Sequence, residues 1–141
     1  MTLKTAGFLS RNGLMNATWE SLERSVARLM NHQGFSGVRV VGQSNDGGAD
    51  ILAHRNSKRY LVQVKYRKSG AVGVDAVDAT TRAAQLYRAS FPVIATNSRF
   101  SKKVREAQVN LAGTGIDLQL WDGDYLHRMW ERIPDNIPGN H

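Results

Sequence analysis

The 141-residue sequence contains no cysteine and only three prolines. Without cysteine the chain cannot form disulfides, thiolate nucleophiles or cysteine-ligated zinc sites. Four histidines are scattered without the spacing of metal ligands, and we interpret them as ordinary surface residues: His32, His54, His127 and His141. The absence of low-complexity runs indicates a globular protein rather than a disordered one.

No apolar stretch is long enough to cross a membrane, and the N-terminal segment lacks the apolar run of a secretory signal. We therefore expect a cytosolic protein with no membrane partner. The length suits one domain. We predict that domain over residues 18–133, with an N-terminal arm over residues 1–17 and a C-terminal tail over residues 134–141.

Positive charge dominates the composition, with 19 Lys and Arg residues against 12 Asp and Glu residues and a net charge of +7. The corresponding isoelectric point is about 10.1. Such an excess favours a polyanionic partner, and nucleic acid is the leading candidate. A basic surface without a specific partner is the alternative.

The most informative stretch predicts a β-hairpin that carries three polar side chains. Two runs rich in apolar and β-branched residues flank an Asn-Ser turn at residues 56–57. Folding about this turn brings Asp50, at the start of the first strand, beside Gln63 near the end of the second. Lys65 lies two positions after Gln63, so both side chains point to one face. An acid, an amide and an ammonium group are therefore expected to converge.

These three groups match the chemical needs of phosphodiester hydrolysis. Carboxylate and amide oxygens bind a hard divalent cation, and an ammonium group orients water or offsets charge in the transition state. Each residue also has a purely structural interpretation. Asp50 can accept backbone hydrogen bonds at a strand start, Gln63 can be a buried and satisfied amide, and Lys65 can extend its ammonium group to solvent.

The pattern resembles the PD-(D/E)xK nuclease superfamily, and within it the Mrr-like restriction endonuclease domain in which Gln replaces the second acid. The resemblance covers about residues 18–131 and rests on three motifs together. They are Asp-Gly-Gly-Ala-Asp at residues 46–50, Gln-Val-Lys at residues 63–65 and Thr-Asn-Ser at residues 96–98.

The resemblance implies a Mg²⁺-dependent DNA endonuclease in which Mn²⁺ can substitute. Asp50 is then the main metal ligand, and the Gln63 side-chain oxygen and the Val64 backbone carbonyl complete the protein's share of the shell. Lys65 orients the nucleophile or stabilises developing charge. A neutral Gln63 leaves the site short of negative charge, so metal and DNA are expected to bind cooperatively.

Two further acids have an open role. The resemblance suggests that Glu20, in the first helix, reaches the metal site from the side, whereas its position in the first turn is equally explained by the helix dipole. Asp46 supports metal or DNA in the same scheme. With two glycines after it, Asp46 is also simply a good turn residue.

Basic residues near the hairpin are expected to contact DNA phosphates. Arg67 and Lys68, with Tyr66, follow Lys65 directly and form one such surface. A second surrounds the start of a helix capped by Ser101, where free backbone N–H groups also attract phosphate. Its members are Ser98, Arg99, Lys102, Lys103 and Arg105. Solvated charged faces are the alternative for both surfaces.

Periodicity predicts an α/β fold, an α+β mixed sheet with the element order α-β-β-β-α-β-α-β-α. Apolar residues spaced by three and four predict the first helix over about residues 18–33, and an Ala-rich helix that includes Leu86 is predicted over residues 74–89. The last strand is predicted over residues 116–121, and a closing helix over residues 122–133 is expected to turn Leu126 inward. The first three strands are expected to be antiparallel, and the later ones to follow helical crossovers. This is the restriction-endonuclease-like core that the resemblance implies. Gln85 and Tyr87 in the second helix do not match the Gln-x-x-x-Tyr motif of RecB-like exonucleases, which argues against that branch.

The sequence thus favours a restriction-type endonuclease. A structure-specific nuclease that acts on branched DNA and a non-cleaving DNA-binding module with the same fold are the alternatives. We expect a homodimer, because cutting both strands of a duplex requires two active sites.

Overall fold

A computed structural model describes residues 18–43 and 48–133. Asp46, the N-terminal arm and the C-terminal tail lie outside these residues. Within them a five-stranded sheet has the order β1-β2-β3-β4-β5. The strands are β1 Ser36–Gln43, β2 Gly48–Arg55, β3 Lys58–Lys65, β4 Phe91–Thr96 and β5 Gln119–Trp121. The helices are α1 Trp19–His32, α2 Asp75–Leu86, α3 Lys102–Gly113 and α4 Gly123–Glu131. This confirms the predicted element order.

Helix α1 begins with a capping box in which Thr18 and Ser21 exchange side-chain and backbone hydrogen bonds. Its apolar stripe, predicted from the spacing of three and four, is buried against the sheet. Leu22, Val26 and Leu29 are at most 1% exposed. This burial fixes α1 across the strands that carry the polar hairpin residues.

Strands β2 and β3 form the predicted antiparallel hairpin. Asn56 and Ser57 have φ angles of 54° and 64°, as a tight turn that follows strand twist requires. The register pairs Asp50 with Gln63 and Gly48 with Lys65. Asp50 was expected to open the strand, but pairing extends two residues further back, to Gly48 opposite Lys65.

Strand β4 runs parallel to β3, and α2 makes the crossover between them. The buried residues of α2 follow the helical period and include Thr80, which the sequence interpretation did not select. Leu86, which we also predicted in this helix, is 76% exposed, because the helical turn places it on the side of α2 that faces away from the buried Thr80 and Ala84.

Strand β5 is shorter than the predicted residues 116–121 and pairs only over Gln119–Trp121, parallel to β4. Gly115, with a φ angle of 89°, ends the preceding turn, and the Ile116 N–H bonds back to the α3 carbonyl of Leu111. The chain therefore joins the sheet only at Gln119. Asp122 caps α4, whose predicted inward residues include the buried Leu126.

The core lies on both faces of the sheet. On one face, α1 and α4 pack against residues such as Val62 and Val93. On the other, α2 and α3 pack against Ile94 and its neighbours. In the part of the chain that the structure describes, no helix has the length and apolar character needed to cross a membrane.

Candidate active site

A cavity of about 140 Å³ lies where the open ends of β2 and β3 meet β1. Its lining residues are Gly42, Gln43, Gly48, Ala49, Asp50, Gln63 and Lys65. Three of them are the polar residues that the hairpin pattern selected. The expected convergence of acid, amide and ammonium is therefore present.

The strand register produces this convergence. Asp50 lies directly opposite Gln63, and Gly48 lies opposite Lys65, so the three polar side chains share one face of the hairpin. All three are half-buried. The adjacent Val64, whose carbonyl the resemblance assigns to the metal, is 1% exposed, packs in the core on the other face and is not among the described residues that line the cavity.

Within the described residues, the Asp50 carboxylate accepts a side-chain hydrogen bond at Oδ1, and its Oδ2 lies toward Gly42. Gln63 donates from Nε2 to Asp50 Oδ1 at 3.1 Å. Gly42 pairs with Asp50 across β1 and β2, and a Cβ atom added to Gly42 would lie 3.1 Å from Asp50 Oδ2. Because glycine has no Cβ, the space beside Oδ2 stays open.

Thr80 is a site residue that the sequence interpretation missed. Its side chain is fully buried, and Oγ1 lies 2.8 Å from Gln63 Oε1 and 2.7 Å from the carbonyl oxygen of Ala76. The available signal was a hydroxyl on the apolar face of α2, three residues after Val77. A buried polar residue in such a position requires a partner, and here that partner is Gln63.

The first helix connects to the cavity through Glu23 rather than Glu20. Gln43, which lines the cavity, donates from Nε2 to both carboxylate oxygens of Glu23, at 3.3 and 3.1 Å. Glu20 is exposed in the first turn and is not among the residues that line the cavity. Glu23 lies one turn further along α1, which brings it closer to the sheet.

The segment after Lys65 is held by the loop after β4. Asn97 accepts from the Arg67 N–H at 2.9 Å and donates to the Arg67 carbonyl at 2.8 Å. Ser98, predicted to contact DNA, donates its hydroxyl to the Gly70 carbonyl at 2.6 Å. Tyr66 and Arg67 are half-buried and Lys68 is exposed. The loop thus fixes the backbone of the basic segment.

The second predicted DNA surface lies at the start of α3, and none of its members is among the residues that line the cavity. The basic side chains there are exposed, namely Arg99, Lys102, Lys103 and Arg105. Arg105 Nη2 is 3.8 Å from Asp122 Oδ2, so part of its charge is offset. Ser101 caps the helix by accepting from the Val104 N–H at 3.3 Å.

The oxygen donors at the cavity fit a hard divalent cation. Among the described residues there is no cluster of three or more acidic, histidine or cysteine side chains that could hold a metal. Asp50 instead offers Oδ2 beside the space that Gly42 leaves open. A site with so few protein ligands suits an ion that retains waters and binds substrate phosphate.

Comparisons with known proteins agree with this geometry. A family model described as restriction endonuclease, the Mrr-type catalytic domain, matches residues 14–130. No curated protein matches the chain. The solved structure of MspJI restriction endonuclease in complex with a 27-mer oligonucleotide is 17% identical in sequence, with a TM-score of 0.51. That match covers 84% of this chain and 28% of the MspJI chain, so this chain corresponds to less than a third of that protein. The sequence motifs, the five-stranded fold and the family match together show that the chain belongs to the Mrr-like restriction endonucleases of the PD-(D/E)xK superfamily.

Proposed function

We propose that this domain hydrolyses phosphodiester bonds in DNA as a Mg²⁺-dependent, restriction-type endonuclease. The observation that carries the proposal is the placement of Asp50, Gln63 and Lys65 around one cavity, with Asp50 Oδ2 beside the open space at Gly42. Family membership supports the same reaction class. The choice of Mg²⁺, with Mn²⁺ as a substitute, follows from an all-oxygen donor set.

Each residue has a distinct task in this reaction. When bound, Mg²⁺ supplies an activated water and polarises the scissile phosphate. Asp50 would anchor the cation with its carboxylate, and the Val64 carbonyl would add a second oxygen. Lys65 places an ammonium group at the same cavity, where it attracts phosphate and offsets negative charge in the transition state. Glu23 holds Gln43 at the cavity wall.

DNA is the proposed substrate because of charge and fold. The chain carries a net charge of +7, and the exposed basic side chains of α3 together with Lys68 provide phosphate contacts near the site. The solved MspJI structure, which shares the fold, contains an oligonucleotide. A homodimer would supply one active site for each strand, and the cytosol remains our expected compartment.

A matched pair of lysine variants tests the proposal. Lys58 and Lys65 are the first and last residues of β3, so Lys58→Met and Lys65→Met make the same chemical change at opposite ends of one strand. We expect Mg²⁺-dependent cleavage by Lys65→Met to fall by at least about a hundredfold. Lys58→Met should cleave like the wild type.

The assay is conversion of supercoiled plasmid by purified protein, with Mg²⁺ and with EDTA. Cleavage in EDTA would contradict metal dependence. A wild-type protein that binds DNA but never cleaves it would support the non-cleaving DNA-binding module instead.

A structure-specific nuclease is the second candidate. Comparing linear, methylated and four-way-junction DNA under identical conditions separates the two nuclease types. Preferential cleavage of the junction would favour this second candidate.

A further inference from the structure

The amide of Gln63 is held at both ends. Its Nε2 donates to Asp50 Oδ1 at 3.1 Å, and its Oε1 lies 2.8 Å from Thr80 Oγ1. An ionised carboxylate only accepts hydrogen bonds, so without a cation the NH₂ group must face Asp50. In this orientation the amide oxygen faces Thr80, away from the carboxylate that anchors the cation.

Thr80 has one hydroxyl proton and two acceptors within reach. Gln63 Oε1 lies 2.8 Å away and the Ala76 carbonyl oxygen lies 2.7 Å away. The hydroxyl donates to one of them at a time, and it also accepts. Because Thr80 is fully buried, its hydroxyl bonds to these protein groups and not to bulk solvent.

A cation on Asp50 reverses the preference of the amide. Beside a positive ion the amide oxygen is favoured and the NH₂ group is disfavoured. Turning the amide over brings Nε2 to Thr80 Oγ1, which accepts this bond while it donates its proton to the Ala76 carbonyl. In both orientations, the Gln63 amide and the Thr80 hydroxyl therefore have hydrogen-bond partners.

We propose that Thr80 is a positioning residue that supports both orientations of the Gln63 amide and thereby couples amide rotation to cation binding. The inference rests on the proposed metal-dependent activity and assigns to α2 a part in it. It also explains how a neutral residue serves at this position: Gln63 satisfies Asp50 without a cation and supplies an oxygen with one. A carboxylate at the same position has no hydrogen to offer Asp50.

Three substitutions of Thr80 separate its hydroxyl from its packing. Thr80→Val keeps the shape and removes the hydroxyl, whereas Thr80→Ser keeps the hydroxyl. Thr80→Ala, which favours a helix, replaces the valine variant if that variant does not fold. The measurement is an NMR titration with Mg²⁺ alone, which follows the Gln63 side-chain NH₂ signals and the backbone signal of Asp50. The loss of two side-chain signals in Gln63→Leu assigns them.

In the wild type and in Thr80→Ser, we expect the Gln63 NH₂ signals to shift in step with the Asp50 signal at closely similar Mg²⁺ affinities. Thr80→Val should bind Mg²⁺ about tenfold more weakly, because an unpaired buried N–H in the turned amide costs more than an underused carbonyl oxygen. A Gln63 NH₂ signal that stays fixed while Asp50 responds would overturn the amide rotation.

The failure of this inference is distinguishable from failure of the proposed function. If wild-type protein binds Mg²⁺ and Thr80→Val binds it equally well, Thr80 only packs and the inference alone fails. Equal losses in Thr80→Ser and Thr80→Val would also assign the effect to packing and overturn the inference. If the Asp50 and Gln63 signals of wild-type protein do not respond to Mg²⁺ alone, and still do not respond when a short DNA duplex is added, the metal site itself is wrong and both proposals fall.

Discussion

Gln63 and Asp50 are direct partners across the β2–β3 ladder, and the Gln63 amide nitrogen lies 3.1 Å from an Asp50 carboxylate oxygen. The pair lies beside Gly42, which pairs with Asp50 from β1. The chemistry of the site therefore depends on a register in which three strands meet.

Asp50→Asn removes the charge that anchors the cation and also the charge that repels DNA. We expect Mg²⁺-dependent cleavage to be abolished, while DNA affinity measured in EDTA is equal to or somewhat greater than that of the wild type. Thermal unfolding checks that the variant is folded. Undiminished cleavage by a folded Asp50→Asn protein would exclude the proposed site.

The two acids of α1 are compared by Glu20→Gln and Glu23→Gln. Glu20 is exposed in the first turn, so its substitution should cost at most about 1 kcal/mol of unfolding free energy and leave cleavage intact. Glu23→Gln weakens the contact with Gln43 at the cavity wall and should lower the cleavage rate. Single-turnover cleavage and thermal melts are measured on both variants. Slower cleavage by a stable Glu20→Gln variant, with normal cleavage by Glu23→Gln, would identify Glu20 as the site residue instead.

Gly42→Ala would place a methyl group 3.1 Å from Asp50 Oδ2. We expect weaker Mg²⁺ binding, so that cleavage requires a higher Mg²⁺ concentration and is slower, because the methyl group occupies the space beside the carboxylate. Gly113→Ala is the matched control, since an added Cβ there meets nothing within 4 Å and should raise helix stability by about 0.5–1 kcal/mol. Similar Mg²⁺ titration curves for Gly42→Ala and Gly113→Ala would contradict the proposed role of the space.

The DNA surface at the start of α3 is tested by charge removal. Lys102→Gln with Lys103→Gln should reduce the logarithmic salt slope of duplex binding by about 1.8 if both contact phosphates. Replacing Arg105 as well should lower the salt slope by less than one further phosphate contact would, because Asp122 lies 3.8 Å from its guanidinium group.

The control for that surface removes the same charge near the hairpin turn, at the exposed Lys58 and Arg88. Lys58→Gln with Arg88→Gln should leave the salt slope unchanged. Fluorescence anisotropy at several salt concentrations measures both double variants. Equal slopes for the two would indicate diffuse charge attraction instead of contacts at α3.

Much of the fold was predictable because the signals are local. The three-and-four spacing of α1 and the Asn-Ser turn of the hairpin each predicted an element that the structure confirms. The ends of elements were less predictable. The length of β5 depends on where the turn at Gly115 delivers the chain to the sheet.

By itself the sequence determined that Asp50, Gln63 and Lys65 would share one face, because a tight turn sets the register and side chains alternate along a strand. Only the tertiary structure decided which neighbours these residues meet. Thr80 reaches Gln63 from α2, and Glu23 reaches the cavity wall through Gln43 of β1. Those contacts join elements that are distant in the chain. They are fixed by the packing of helices on a twisted sheet, and local sequence periodicity does not predict that packing.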